Sequence, residues 1–176
     1  MQLNVQYIHD MFCALANDPT NNQVADTVVN LRIDINYIGV LCEYLSNNAM
    51  NNQQTLLLCC IELKNTVKIV WREHTKMGLD LSELARKMFQ LMFNFDQKCS
   101  NLISEAVVFI ARQDFPIRWD TFIVEAMSFL RDDNHVANLR IWTLIEKITR
   151  KYIWSERSDE LYSEIIKVVN ESHQKL

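Results

Sequence analysis

Glycine and proline are nearly missing from this chain, with two of each in 176 residues. β-Hairpins depend on turns such as Asn-Gly, Asp-Gly or Gly-Gly, and none of these dipeptides occurs. A strand-rich architecture is therefore excluded, and helices, which need far less turn chemistry, remain. No apolar run approaches the ~18–20 residues a membrane span requires. The start, "MQLNVQYIHD", has neither the basic n-region nor the apolar h-region of a secretory signal. There is no excess of positive charge: 18 basic against 22 acidic residues give a net charge of −4, which argues against nucleic acid as a partner. No G-x-x-x-x-G-K-[ST], G-x-G-x-x-G, G-x-S-x-G or H-E-x-x-H motif is present, so phosphate-loop, dinucleotide, serine-hydrolase and zinc-protease chemistry have no anchor.

What is present is apolar and periodic. Hydrophobic residues make up 49% of the chain, enough for a sizeable core. Nine stretches repeat at 3.6 residues. The first, "VQYIHDMFCALA", puts Val5, Ile8, Phe12 and Leu15 on one face. "VADTVVNLRI", "INYIGVLCEYL" and "TLLLCCIELKNTVKIVW" follow, the last two parted by the polar stretch over residues 46–54. "LDLSELARKMFQLMFNF" opens with Asp80 and Glu83, a variant capping box. "NLISEAVVFIA", "WDTFIVEAMSFL", "NLRIWTLIEKITRKYIW" and "SDELYSEIIKVV" complete the set, with Ser158 as the expected N-cap of the last. Cys13, Cys42, Cys59, Cys60 and Cys99 fall inside these patterns without paired spacing, and read as buried free thiols of a reducing compartment.

The helices repeat as pairs. Aligning the second helix of each pair on a central apolar residue sets Val29, Val67, Ile110 and Ile148 at separations of 38, 43 and 38 residues. That is the ~40-residue period of HEAT and armadillo units. The expected fold is all-α: a HEAT-repeat α-solenoid over residues 1–176, with about four helix pairs plus one further helix. Its repeats are expected at 3–32, 34–74, 79–115 and 116–154, with 158–173 opening the next. An irregular bundle is the competing reading. Ile165, Ile166, Val168 and Val169 give the last helix an apolar surface rather than a polar cap, so the chain is expected to stop inside a longer solenoid.

One stretch breaks the periodicity. "ARQDFPIRWD", Ala111 to Asp120, holds Pro116 between two long helical patterns. Proline disfavours helix at the residue before it and is tolerated in a first turn, so Pro116 should end one helix near Asp114 and start the next. Phe115 and Trp119 would then pack between repeats, and Asp114 would accept N–H bonds from the new first turn.

The same stretch carries a resemblance. "ISEAVVFIARQDFPIRWDTFI", Ile103 to Ile123, resembles the junction between the third and fourth repeats of importin-β superfamily transport receptors, where a helix ends in a D-[FW]-P-x-x-W turn. "LLLCCIELKNTVKIVW", Leu56 to Trp71, is similar to the family's second repeat with its L-K-N motif. "ERSDELYSEIIKVV", Glu156 to Val169, is most similar to the branch that returns importin-α to the cytoplasm. Asp120 departs from the pattern, standing where many members carry a second proline, and the Arg-x-x-Ala-Glu usual in the first repeat is absent around Asn21 to Leu31.

The resemblance implies the N-terminal arch of a nuclear transport receptor, without enzymatic activity or cofactor. It implies binding to the Ran GTPase in its GTP form, to cargo such as importin-α, and to FG-repeat proteins of the nuclear pore. It also implies shuttling between nucleus and cytoplasm. Lys64, Lys68 and Arg72 recur at four-residue spacing and form one basic stripe on a helix. The stripe is either a plain solvated face or a concave surface that meets an acidic partner. The family's pattern makes Lys64 and Asn65 of the L-K-N motif, with Lys68 and Arg72, the expected Ran contacts. Asp114, Phe115, Pro116 and Trp119 are the expected structural junction. A generic HEAT-repeat scaffold unrelated to Ran is the alternative.

Chemical sites fare worse. His9, His74, His135 and His173 lie far apart in the chain, and Cys59-Cys60 with Glu62 and His74 lacks the i, i+4 spacing that metal pairs favour on a helix. Glu125 with Asp132 and Asp133 reads as a solvated helix end.

Overall fold

A computed structural model describes residues 3–47 and 52–173, and the described residues contain helices and no strand. The polar break expected over residues 46–54 lies partly outside them. The helices are α1 (Val5–Asn17), α2 (Asn22–Leu31), α3 (Ile35–Ser46), α4 (Gln53–Lys76), α5 (Ser82–Leu91), α6 (Gln97–Asp114), α7 (Phe122–Ser128), α8 (His135–Thr149) and α9 (Asp159–His173), with a 3₁₀ turn over Arg150–Ile153. The chain divides into two compact units, residues 1–110 and 111–176.

Asparagine and aspartate supply the punctuation that glycine and proline do not. Side chains of Asn4, Asn21, Asn52 and Asn134 each accept an N–H bond in the first turn of α1, α2, α4 and α8. Asp34 and Asp96 do the same for α3 and α6, and Ser158 Oγ takes the Leu161 N–H at the start of α9. Each cap satisfies one of the donors a helix start leaves without an internal partner. The exceptions are α7, whose N-cap Thr121 makes no side-chain cap bond, and α5. It begins at Ser82 behind an N-cap of Leu81, and Asp80 stands one residue too early to act as the N-cap of a capping box. Its carboxylate instead accepts the Ser82 N–H at 3.0 Å in a tight local turn. Gly78 is used where a glycine is needed. With φ of +80° it ends α4 in a left-handed turn, and the Leu79 N–H returns to the His74 carbonyl at 3.3 Å.

In the first unit α3 and α4 form an antiparallel hairpin. The Cys59 thiol reaches the Leu41 carbonyl at 3.6 Å, while Tyr37, one turn earlier on α3, lies beside Glu62, one turn later on α4. α3 also packs on α1 and α5. α4 and α6, by contrast, run in the same direction. Gln53 at the start of α4 bonds Asp96 at the start of α6, and further along Lys64 meets Glu105. Both contacts join residues roughly forty apart, which is the sequence period expressed as side-by-side packing of equivalent helices. Arg32, just past α2, pairs with Glu62 of α4. The core is formed by Ile8, Phe12, Ile38, Leu41, Leu63, Val67, Trp71 and Phe89, each fully or almost fully buried. At the Val28-Val29 doublet the inward residue is Val28, at 3% exposure. Val29 is 49% exposed, so the sequence alignment on Val29 was one residue out.

In the second unit α7 packs against α8 and α9. The Lys151 ammonium ties three pieces together: it bonds Glu164 of α9 at 2.9 Å and the Phe115 carbonyl at 3.3 Å, and it lies 5.8 Å from the centre of the Phe115 ring. Asn138 closes the loop before α8 by bonding both the N–H and the carbonyl of Arg131. α6 ends at Asp114, as expected of the residue two before Pro116, but α7 begins only at Phe122. Pro116 therefore does not start the next helix. The chain makes an intervening turn around Asp114, whose carbonyl accepts the N–H groups of Arg118 (2.7 Å) and Trp119 (3.1 Å). The Phe115–Pro116 peptide is cis.

Candidate functional site

Two groups of residues stand out, one in each unit. α4 is apolar on its inner side, through Leu63, Val67, Val70 and Trp71, and this fixes which side of the helix meets water. Lys64, Lys68 and Arg72 step along its outer side at four-residue intervals. Lys64 and Asn65 are half-buried, and Lys68 and Arg72 are exposed. Both lysines converge on Glu105 of α6: a single carboxylate oxygen lies 3.5 Å from the Lys64 ammonium and 3.6 Å from that of Lys68. Further along, Lys76 bonds Glu73 at 2.9 Å, and this contact, helped by Arg72, holds the Glu73 carboxyl below its usual range.

Sequence reasoning missed Glu105. The available signal was its position about one repeat after Lys64 and Lys68, where side-by-side equivalent helices bring such residues together. It also missed Arg32 and Glu62, which form a two-pronged pair with both N···O distances at 2.7 Å. The Glu62 side chain is only 10% exposed. Tyr37 lies beside it, and its hydroxyl is pushed far up by burial and by the Glu62 charge.

The second group is the turn after α6. Asp114, Phe115 and Trp119 are buried, and Ile117 projects into solvent at 90% exposure. Asp114 accepts the Arg118 guanidinium at 2.9 Å. Trp119 packs edge-on to Phe122 with ring centres 4.9 Å apart, and its indole N–H donates to Glu125 at 3.2 Å. Glu125 is thus half-buried and bonded, not part of a solvated acidic end. Phe115 meets Phe122 edge-on, with ring centres 6.3 Å apart. The turn holds its aromatic residues inward by hydrogen bonds at both ends, a structural arrangement without an open apolar face at Trp119.

Groups able to do chemistry are scattered. Among the described residues no three His, Cys, Asp or Glu side chains come together as a metal site. His9 bonds the Tyr44 hydroxyl at 3.2 Å. Cys42, Cys59, Cys60 and Cys99 are free and buried, and burial raises all four thiols, Cys42 to about 12. Such thiols are protonated and unreactive at neutral pH. Among the described residues no helix is long and apolar enough to cross a membrane.

No family model matches the chain. It is 30% identical over 115 residues to the importin alpha re-exporter of Saccharomyces cerevisiae, a match covering 63% of this chain and 12% of that protein. It is 25% identical over 169 residues to Exportin-2 of Danio rerio, covering 92% of this chain and 17% of the relative. Human Exportin-2 is 27% identical over 122 residues, 65% of this chain and 12% of that protein. The fold is similar to that of the exportin Cse1 in its cargo-free, cytoplasmic state, with a TM-score of 0.78 at 21% identity over 94% of this chain and 18% of the other. The chain thus spans between about a tenth and a fifth of the length of these proteins. Its helices have the HEAT-repeat solenoid fold, and its sequence is similar to those of exportins, in keeping with the importin-β resemblance of its motifs.

Proposed function

We propose that the chain forms part of a nuclear transport receptor. On this reading it binds the GTP form of the Ran GTPase through the outer stripe of α4, and helps carry a protein cargo between nucleus and cytoplasm. Lys64, Asn65, Lys68 and Arg72 are the contact residues in this reading, and the likeness to an importin alpha re-exporter makes importin-α the cargo to test first. Passage through the pore would add contacts to FG-repeat proteins. Repeats at 3–32, 34–74, 79–115 and 116–154, with 158–173 opening the next, belong to the same proposal; the ends of α2 and α6 support the boundaries at 32 and 115.

The observation that carries this reading is the pair of lysines on the water-facing side of α4, gathered around one carboxylate, in a chain whose relatives are exportins. Two ammonium groups one helical turn apart suit an acidic protein surface. Charges of this kind steer association and lose strength with salt, since exposed charges are screened beyond ~8–10 Å at physiological ionic strength.

The test is a titration with Ran in both nucleotide states. Preference for the GTP form is expected, with binding weakened roughly tenfold or more by Lys64→Glu/Lys68→Glu. Equal affinity for the GDP and GTP forms would favour a HEAT-repeat scaffold unrelated to Ran. Selective binding that ignores the double charge reversal would keep the function and discard these residues.

A further inference from the structure

Glu105 sits where a partner's carboxylate would have to sit. Its Oε2 atom is 3.5 Å from Lys64 Nζ and 3.6 Å from Lys68 Nζ, so one oxygen serves two cations that lie a turn apart on α4. All three residues belong to the first compact unit, on helices that run alongside each other. The trio shows what the lysine pair accepts: a carboxylate approaching from the side of α6, shared between the two ammonium groups.

The contact is also loose, although the Lys64 side chain is only 20% exposed. Both separations exceed the ~2.7–2.9 Å of a strong charge-assisted hydrogen bond. The Glu105 and Lys68 side chains are nearly half exposed, at 46% and 45%, so water and salt reach the pair. Pairs of this kind contribute little to stability. The Arg32–Glu62 pair in the same unit is the contrast, with two contacts at 2.7 Å and a carboxylate only 10% exposed. One pair is built to hold and the other to let go.

We propose that Glu105 is an internal competitor: it occupies the Lys64–Lys68 pair in the free chain and gives it up to carboxylates of an acidic protein partner. This rests on the reading of the α4 stripe as a surface for an acidic partner, and not on that partner being Ran. While Glu105 is in place, the trio carries one net positive charge instead of two, and a lone carboxylate meets a site already filled. A partner that presents several carboxylates at once can displace it, because its remaining contacts offset the loss. The device therefore raises the threshold for casual binding of acidic proteins without blocking the intended one.

The test uses a decaglutamate peptide as the acidic probe, at low salt, with the full chain. Glu105→Gln keeps the shape and removes the charge; it should tighten decaglutamate binding about three- to tenfold, the scale set by losing two competing pairs, one exposed and one half-buried. Glu83→Gln, an exposed glutamate on α5, makes the same change in net charge and should alter binding by less than about twofold. Adding Glu105→Gln to Lys64→Glu/Lys68→Glu should give no gain. The proposal is overturned if Glu105→Gln and Glu83→Gln act alike, if the gain persists without the lysines, or if decaglutamate binds neither the parent chain nor the Glu105 variant. A parallel titration with both nucleotide states of Ran separates the two readings. Loss of nucleotide preference there, with the decaglutamate gain intact, removes Ran and leaves the competitor.

Discussion

Trp119 and Trp154 each follow a helical stretch, yet their surroundings differ as far as a side chain's can. Trp119 is 3% exposed and Trp154 is 89% exposed. The cause is local. The carbonyl of Asp114 draws the Trp119 N–H back toward the end of α6, and Glu125 takes the indole N–H, so the ring is held against Phe122. Trp154 follows the 3₁₀ turn and its N–H bonds only to the Lys151 carbonyl three residues back. Truncating a buried tryptophan leaves a cavity, and Trp119→Ala should cost ~3–5 kcal/mol. Trp154→Ala should stay within about 0.5 kcal/mol, as for other surface changes. Urea denaturation of the two variants checks the pair. A cost below about 1 kcal/mol at Trp119 would mean that the ring is free to bind a ligand after all.

At the scale of elements, Arg32–Glu62 fastens the end of α2 to α4. Arg32→Ala would leave the Glu62 carboxylate nearly buried beside Tyr37 without its partner. The expected loss is roughly 2–4 kcal/mol, a little below the ~3–5 kcal/mol of fully buried pairs because 23% of the Arg32 side chain still meets water. Replacing both, as Arg32→Met/Glu62→Leu, should recover part of that loss, since no charge is then stranded. A double mutant less stable than Arg32→Ala alone would show that the pair does not act as a unit. Neither this pair nor Glu105 was legible in the sequence, because each joins residues that only the packing of separate helices brings together. The helices themselves were legible, since burial imposes the 3.6-residue period on every one of them. Where local reading failed, a nearby competitor decided the outcome. At Val28-Val29 both residues are equally apolar, and periodicity could not choose between them. At Asp80 a side chain with capping chemistry was placed one residue too far out. After Pro116 the Asp114 carbonyl captured two N–H groups and delayed α7 to Phe122.

Across the whole molecule, buried acidic groups of high pKa are unevenly shared. All five cysteines lie in residues 1–110, and residues 111–176 have none. Burial raises the thiols of Cys42, Cys59, Cys60 and Cys99, and the Tyr37 hydroxyl with them. In the second unit the comparable group is Tyr152, raised by burial and by Glu164. A thiol whose folded pKa is raised favours the folded state fully below its unfolded pKa of ~8.5, and the advantage is lost as pH rises toward the folded value. For Cys42 that window runs from there to about 12. Unfolded tyrosine ionises only near ~10. Alkali should therefore weaken the first unit from about pH 8.5 upward, by as much as ~1.4 kcal/mol per pH unit for each buried thiol, before it touches the second. Hydrogen exchange resolved by peptide, corrected for the intrinsic rate and run under reducing conditions, reads the two units separately. Between pH 8 and 9.5, peptides from α4 should lose protection while those from α8 hold theirs, and Cys42→Ala should flatten the slope in α4. An equal loss in both units would show that the buried thiols do not set the alkaline limit.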